Sequence, residues 1–256
     1  MSNLSLLILV LVFFVTSLLG VVTGSNSLIT VPAMFQLGVD EKVAIATNMF
    51  GLVFMAIGGA IPFLRQGTIN VRRLSPLIIL TIIGSAIGAA IVGLITNRSI
   101  KVIVTVAMIV IVLFTLMRPR NVEASAEHNT RSGSFGKHII TGFVLTFLLA
   151  IYGGLYSGGY VTVLTATFIA FFGMSFAESI AATKVINIFS SSIATAVFIY
   201  QGLVDFRLGV ILGVTMFAAA YIGAQFATKM NEVWLRRIFL SAVLLLAVKT
   251  VVDLAI

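Results

Sequence analysis

Long apolar stretches separated by short polar segments fill almost the whole chain. A membrane-spanning helix needs about 20 mainly apolar residues, and several stretches reach this length as single spans. The predicted spans are residues 43–64, 74–95, 99–117, 177–199, 207–228 and 232–254. The pattern therefore predicts an all-α integral membrane protein.

Two further apolar stretches, residues 4–36 and 138–172, are longer and carry small polar residues near their middle, at 23–27 and 153–159. One helix over such a stretch would measure about 50 Å, more than a ~30 Å hydrocarbon core, and two full spans would need about 40 residues. We therefore predict that each stretch forms a broken hairpin of two shortened helices, with its tip inside the membrane. No Lys or Arg precedes the first stretch, so we expect it to belong to the mature fold rather than to a signal peptide.

The two halves of the chain repeat one another at a constant offset. Residues 66–72 read QGTINVR and residues 201–207 read QGLVDFR, and Gly88-Ala89 returns as Gly223-Ala224. We therefore expect an N-terminal repeat at residues 1–117 and a C-terminal repeat at 138–256, joined by a flexible cytoplasmic linker at 118–137. In membrane proteins, such a duplication often places the working site between the two repeats.

Composition and charge indicate a lipid environment and an orientation. Hydrophobic residues make up 60% of the chain and charged residues 9%, whereas soluble domains carry roughly 25% charged residues. If both long stretches are hairpins, ten Lys and Arg residues near loops share one face and four share the other, which assigns the first face to the cytoplasm. Each half then crosses the membrane an odd number of times. We therefore predict two inverted-topology repeats, each a broken helical hairpin plus three transmembrane helices.

Several kinds of chemistry find no support in the sequence. The net charge of +8 follows the orientation bias and favours contact with membrane lipids, so no nucleic-acid partner is expected. The chain has no cysteine, and no arrangement of His, Asp and Glu fits a metal, so we expect neither metal nor cofactor. The segment 133–137 lacks the spacing of a phosphate-binding loop, and no general base lies near a serine. We expect no enzyme activity and no ATP-driven transport.

The two hairpin tips are the first candidates for a binding site. Broken helices are tolerated in lipid only where they are buried or line a polar cavity. The second arm of each hairpin begins near Leu28 or Val161, and a helix N-terminus suits an anion because of its dipole and its free N–H groups. The alternative is that these residues are only packing kinks. The candidate binding residues at the tips are Ser25, Asn26, Ser27, Tyr156, Ser157, Gly158 and Gly159.

The span that follows each hairpin supplies the second set of candidates. Lys184 lies deep in an apolar stretch, where a charge costs at least about 2.5 kcal/mol and normally faces a cavity or a partner. The alternatives are that Lys184 pairs with Glu178 or extends to the membrane interface. Asn187 and Ser191 follow on the same helix face. The full set is Thr47, Asn48, Thr183, Lys184, Asn187 and Ser191 as substrate-binding residues, with Glu178 as a candidate for proton coupling. One lysine, several neutral donors and two helix N-termini together predict an anion site.

Ordered motifs in both halves resemble the sulfite exporter TauE/SafE family. The first half carries Gly20-x-x-x-Gly24, Val31-Pro32, Gly38, Ala46-Thr47-Asn48 and Gln66-Gly67. The second half carries Gly154-x-x-x-Gly158-Gly159, Gly173, Ala182-Thr183-Lys184-x-x-Asn187 and Gly202-x-Val204-Asp205. The resemblance covers nearly the whole chain. It implies a multi-pass inner-membrane transporter of bacteria or archaea that moves sulfur-containing anions, such as sulfite or organosulfonates, by proton-linked transport.

The leading hypothesis is therefore a secondary transporter that moves a small sulfur-containing anion by alternating access. Two alternatives stay open, namely a passive anion channel and a non-transporting accessory protein of the membrane. The expected partners are a small anionic substrate and membrane lipids. The sequence also leaves open whether the chain forms a homodimer.

Overall fold

A computed structural model describes residues 3–24, 26–67, 71–100, 102–106, 135–231 and 234, with side chains omitted for 135–138. This part of the chain is built from α-helices and one short 3-10 helix at Val71–Leu74. The first half contains α1 (Asn3–Thr23), α2 (Ser27–Gln36), α3 (Glu41–Arg65) and α4 (Ser75–Leu94), and residues 97–100 and 102–106 are also helical. The second half contains α5 (Phe135–Leu155), α6 (Tyr160–Phe172), α7 (Phe176–Tyr200) and α8 (Phe206–Ala227). The all-α prediction is confirmed for the described residues.

Four of the predicted single spans are confirmed as the long helices α3, α4, α7 and α8. The other two, at 99–117 and 232–254, lie mostly outside the described residues. So does the predicted linker at 118–137, except that its last three residues already belong to α5. The linker prediction therefore ends too late in the sequence, because polarity near residue 135 does not prevent helix formation.

Both predicted helix breaks are present, but the lengths of the arms differ from the prediction. The first break falls between Thr23 and Ser27, and the second falls between Leu155 and Tyr160. The second arms α2 and α6 are short, at 10 and 13 residues. The first arms α1 and α5 each have 21 residues, so the prediction of two shortened arms is wrong for them. Polar residues do not interrupt α1 because they bond within the helix, as Thr16 Oγ1 does to the carbonyl of Val12 at 2.7 Å.

Left-handed backbone at matching positions shapes both breaks. Gly24 has φ +71° and Gly159, 135 positions later, has φ +73°. Ser157 also adopts a positive φ, of 68°, which is uncommon for a residue with a side chain. One left-handed glycine therefore recurs at the same offset in both breaks, whereas Ser157 is left-handed and its counterpart Val22 is helical.

Helices α3 and α7 show how closely the two halves correspond. Each has 25 residues, and each begins after a residue whose side chain accepts backbone hydrogen bonds, Asp40 or Ser175, again 135 positions apart. Each ends before a glycine in left-handed conformation, Gly67 or Gly202. The caps satisfy backbone groups at both ends of each helix, so the same local signals set the same bounds twice.

Each helix contact between the two halves has a counterpart between the equivalent helices. α1 packs on α8 and α5 packs on α4, α3 packs on α8 and α7 packs on α4, and α3 packs directly on α7. Glycines make the closest crossings. A Cβ at Gly88 would lie 1.9 Å from the carbonyl oxygen of Ile151, and a Cβ at Gly223 would lie 2.3 Å from that of Leu18. These small residues therefore let helices from the two halves approach closely.

Contacts at one end of the bundle show which helix ends lie together there. Lys42, at the start of α3, donates from Nζ to the carbonyl of Gly93 in α4 at 3.2 Å. The side chain of Gln201, just after α7, lies against the same glycine. The amide of Asp205, just before α8, donates to Thr47 Oγ1 at 3.0 Å. The starts of α3 and α8 and the ends of α4 and α7 therefore lie at one end of the bundle.

Candidate functional site

The two helix breaks meet inside the protein. Thr162 Oγ1 donates to the carbonyl of Thr23 at 2.8 Å, and the hydroxyl of Tyr156 donates to the carbonyl of Ser27 at 3.1 Å. The backbone at Gly24 passes so close to Val161 that a Cβ there would lie 2.7 Å from the valine side chain. The hydroxyl-bearing residues of this contact are buried. The two tips that the sequence marks as candidate binding sites therefore contact one another.

A small cavity lies between the breaks and helices α3 and α7. Its volume is about 10 Å³, which is room for about one water molecule. Its lining is Gly20, Gly24, Asn26, Ser27, Leu52, Met55, Ala56, Ser157, Val161, Lys184 and Asn187. The first residue of α2 and the second residue of α6 are among these, so the positive ends of two helix dipoles adjoin the cavity.

Lys184 is the cation at this cavity. Its side chain is 3% exposed. Among the described residues, the hydrogen-bond partner of its ammonium group is the carbonyl of Gly20, at 3.5 Å, and no carboxylate lies within ion-pair distance. The two alternatives for Lys184 are therefore wrong. It does not extend to an interface, and Glu178 is an exposed residue at the start of α7 whose carboxylate accepts from the amide of Ser175 at 2.8 Å.

Two buried amide side chains line the same cavity with hydrogen-bonding capacity to spare. Asn187 is 5% exposed, and its side-chain amide has no hydrogen-bond partner within the described part of the chain. Asn26 donates weakly to Ser17 Oγ at 3.4 Å and to Met55 Sδ at 3.3 Å. The side-chain oxygen of Asn26, Oδ1, is buried without a hydrogen-bond partner among the described residues. Buried polar groups are normally satisfied, so these groups indicate a place for a polar ligand or for water.

Among the other predicted tip residues, some line the cavity and others support the helix breaks around it. Ser27 and Ser157 are part of the lining. Tyr156 joins the two breaks, as described above. The carbonyl of Gly158 accepts a hydrogen bond from the hydroxyl of Tyr152, and Gly159 provides the left-handed turn. Ser25 lies outside the described residues.

Four further predicted site residues are buried but lie outside the cavity lining, because their polar groups bond elsewhere. Asn48 donates to Ser27 Oγ at 3.0 Å and accepts from Thr30 Oγ1 at 2.8 Å, so it holds the start of α2. Thr47 accepts from the amide of Asp205. Thr183 and Ser191 donate to carbonyls of their own helix, those of Ile180 and Asn187. Asn48 therefore contacts the cavity lining through Ser27. The other three residues stabilise the backbone to which they bond.

Sequence reasoning missed the apolar wall of the cavity. Leu52, Met55 and Ala56 of α3 face Lys184 and Asn187 of α7 across the space. The duplication could have found this wall, because Leu52 and Asn187 are 135 positions apart and occupy matching places on matching helices. Of these two helices, α7 thus lines the cavity with polar side chains and α3 lines it with apolar ones.

The buried amino group of Lys184, the unpaired side-chain amide of Asn187 and two helix N-termini offer hydrogen-bond donors that suit a small anion. The described helices include five that are long and apolar enough to cross a membrane. Apolar helices around a central polar cavity are typical of a multi-pass membrane transporter. Comparison with known proteins agrees with this class.

The chain belongs to the sulfite exporter TauE/SafE family, whose sequence profile matches residues 8–250. It is 23% identical to the probable membrane transporter protein ORF9 of Sinorhizobium sp. over 94% of this chain and 90% of that one. It is 24% identical to a probable membrane transporter protein of Haemophilus influenzae over 88% of this chain and 84% of that protein. It is also 24% identical to the probable membrane transporter protein YfcA of Escherichia coli K12, over 96% and 91% of the two chains. No solved structure matches the chain.

Proposed function

We propose that this protein is a secondary transporter that moves a small sulfur-containing anion, sulfite or an organosulfonate, across a bacterial or archaeal inner membrane by alternating access. One observation carries the proposal. The ammonium group of Lys184 lines a central cavity, is 3% exposed and has no carboxylate partner among the described residues. The family membership supports transport as the activity.

The charge balance of the cavity favours an anion as its occupant. A cation buried in a membrane protein is costly unless a partner offsets its charge, and a bound anion would provide that partner. The unpaired amide of Asn187 would donate to the oxygens of the anion. The positive ends of α2 and α6 would add to the attraction. An oxyanion with several acceptor oxygens matches this set of donors.

The proposed inverted repeats would supply the alternating motion. The start of α3 and the end of its counterpart α7 lie at the same end of the bundle, as the contacts around Gly93 indicate, which supports opposite directions for the two halves. The helix contacts also exchange between halves. Each half can then adopt the conformation of the other, which would open the cavity first to one side and then to the other. The proposed architecture includes a third transmembrane helix in each half, at residues 99–117 and 232–254.

The size of the cavity supports a carrier over an open channel. At about 10 Å³ the cavity has room for about one water molecule, whereas sulfite has four heavy atoms. Binding would therefore require the two helix breaks to separate. The hydrogen bonds of Tyr156 and Thr162 across the breaks would have to lengthen or break in each cycle. A passive channel would need a continuous path in the resting state.

Substitution of the buried lysine tests the proposal. We expect Lys184→Ala to abolish sulfite uptake into proteoliposomes, while expression and monodispersity in detergent stay at the wild-type level. Lys42→Ala is the matched control, because Lys42 carries the same charge at the end of the bundle, and we expect it to keep most of the flux. Wild-type flux in the Lys184→Ala protein would reject the proposed role of this residue.

We also propose that transport is coupled to protons, which is tested by measuring flux under an imposed pH gradient. A proton could travel on Glu178 or on the substrate, because sulfite titrates near neutral pH. Glu178 is exposed and caps α7 through Ser175, so Glu178→Gln should keep the cap in part and still block a route through the carboxylate. We expect an imposed pH gradient to change the flux in the wild-type protein. If Glu178→Gln keeps that response, the substrate is the carrier of the proton, and if the wild-type flux ignores the gradient, both routes are rejected.

A further inference from the structure

A second and larger cavity lies at the end of the bundle opposite Gly93, where α3 and α8 both terminate. Its volume is about 220 Å³, and we name it the basic groove. Arg65 and Gln66 line it from α3, and Tyr221, Gln225, Thr228 and Lys229 line it from α8 and the residues that follow. The basic groove is separate from the central cavity, with which it shares no lining residue.

The charges in the basic groove are all positive. Arg65 and Lys229 are both cationic, and no Asp or Glu is among the described residues that line the space. Neither cation forms an ion pair within the part of the chain that the structure describes. The hydroxyl of Tyr221 accepts from Arg65 Nη1 at 3.5 Å, and the ring of Tyr221 is parallel to that of Phe217, with centroids 6.3 Å apart. The guanidinium group is therefore positioned by a neutral aromatic side chain and keeps its charge available.

The matching place in the other half lacks the two groove cations and the tyrosine, and the lysine nearest to it, Lys42, donates to the carbonyl of Gly93. Counting 135 positions, Arg65 corresponds to Tyr200 and Lys229 to Leu94, and Tyr221 and Gln225 correspond to Ala86 and Ala90. There the side chain of Gln201 occupies the space, since its Nε2 lies 3.4 Å from the carbonyls of Ala89 and Ala90 and packs on Gly93. A duplicated scaffold alone would give both ends the same surface. The basic groove is therefore a specialised feature of one end.

We propose that the basic groove binds a tetrahedral oxyanion group, such as a phosphate or a sulfonate. A guanidinium fork recognises such oxygens in pairs, and the amide and hydroxyl side chains around it would donate further hydrogen bonds. The groove measures about 220 Å³ against about 10 Å³ for the central cavity, which has room for about one water molecule, so an oxyanion fits. The group could belong to the headgroup of an acidic phospholipid or to a free anion in solution. The site does not depend on the proposed transport function.

Thermal unfolding of the purified protein in uncharged detergent separates the two sources. One arm adds inorganic phosphate, and the other adds phosphatidylglycerol with phosphatidylcholine as the zwitterionic reference. We expect at least one anionic probe to raise the Tm of the wild-type protein, and the arm that responds identifies the source. In Arg65→Gln/Lys229→Gln that shift should be lost, since binding near an anionic surface weakens roughly fivefold for each cation removed. Both substitutions are at exposed residues, so folding should be retained.

Two control proteins make the result decisive. Lys42→Gln/Arg207→Gln removes the same charge from the opposite end of the bundle and should keep the shift. Lys184→Ala should also keep it, which shows that the probe does not report on the central cavity, whatever the outcome of the transport assay. The proposal is overturned if no anionic probe shifts the wild-type Tm, if the Arg65→Gln/Lys229→Gln protein keeps the full shift, or if the opposite-end control loses as much.

Discussion

Helices α3 and α7 have the same scaffold but different interiors. They have equal length, begin after capping residues at equivalent positions and end before equivalent left-handed glycines. Yet α7 carries Lys184, Asn187 and Ser190 where α3 carries Met49, Leu52 and Met55. The comparison teaches that the two helices share their backbone geometry, while only α7 lines the cavity with polar side chains.

The helices that pack on α3 and α7 continue this difference. Ser85 of α4 and Ser190 of α7 share a hydrogen bond of 2.7 Å between their hydroxyls. The equivalent positions on α8 and α3 are Ala220 and Met55, and both residues are buried. The contact between α4 and α7 therefore carries hydroxyl groups, whereas the equivalent positions on α3 and α8 are apolar. Substitutions that give one helix the residue of its counterpart can test which of these differences affect stability and binding.

The largest effect is expected where the two copies agree, at the glycine crossings. Gly88→Leu and Gly223→Leu should each prevent folding, because even a Cβ would lie 1.9 or 2.3 Å from a backbone carbonyl oxygen. Overpacking commonly costs about 1–3 kcal/mol and more against rigid backbone. The measurement is the yield of monodisperse protein in detergent. Gly202→Asn is the control, since a Cβ there meets nothing within 4 Å and Asn tolerates positive φ. Good yield of both leucine variants would show that the crossings can separate.

The next largest effect follows from giving α7 the residue of α3. Lys184→Met should raise stability by about 2.5 kcal/mol, because it removes a buried charge, and it should abolish stabilisation by sulfite. Thermal unfolding with and without sulfite measures both effects. Met49→Leu in α3 should change stability by less than about 1.5 kcal/mol and keep the sulfite response. A lower Tm for Lys184→Met would mean that the ammonium group contributes net stabilisation in the empty protein.

A smaller effect is expected from the amide that lines the cavity. Asn187→Leu copies Leu52 and removes a donor to the charged substrate, which is worth about 1.5–3 kcal/mol. Sulfite affinity should then fall roughly 10- to 100-fold, as measured by titration of the Tm shift. Leu52→Val on the apolar wall is the paired control and should change affinity little. Equal losses in both variants would indicate that shape rather than hydrogen bonding sets the affinity.

The helix bounds and breaks were largely predictable because they depend on local properties of the chain. The span predicted at 43–64 is observed as Glu41–Arg65, and the break predicted at 23–27 falls between Thr23 and Ser27. Apolar length, capping side chains and glycines act within a few residues of where they stand. The exception is the length of the first arms, because α1 and α5 each have 21 residues where shortened helices were predicted.

The orientation of buried polar side chains was not predictable, because it depends on contacts between distant parts of the chain. Asn48 and Asn187 look alike in sequence, as amides within an apolar span. Thr30 and Ser27 use both ends of the Asn48 side chain, whereas the Asn187 side chain lines the cavity. Likewise, Glu178 looked available for Lys184 and instead caps its own helix. These outcomes require the packed structure.

The smallest effect is expected where the two halves touch at the breaks. Tyr156→Phe and Thr162→Val each remove one hydrogen bond between the breaks, so each should lower stability by about 1 kcal/mol. Tyr200→Phe is the control for the tyrosine, because Tyr200 is 93% exposed. If separation of the breaks limits turnover, the two variants should also transport sulfite faster than the wild type in spite of their lower Tm. Slower transport in both would instead mean that these bonds order the breaks around the bound anion, and the contact would then belong to the binding step rather than to the barrier.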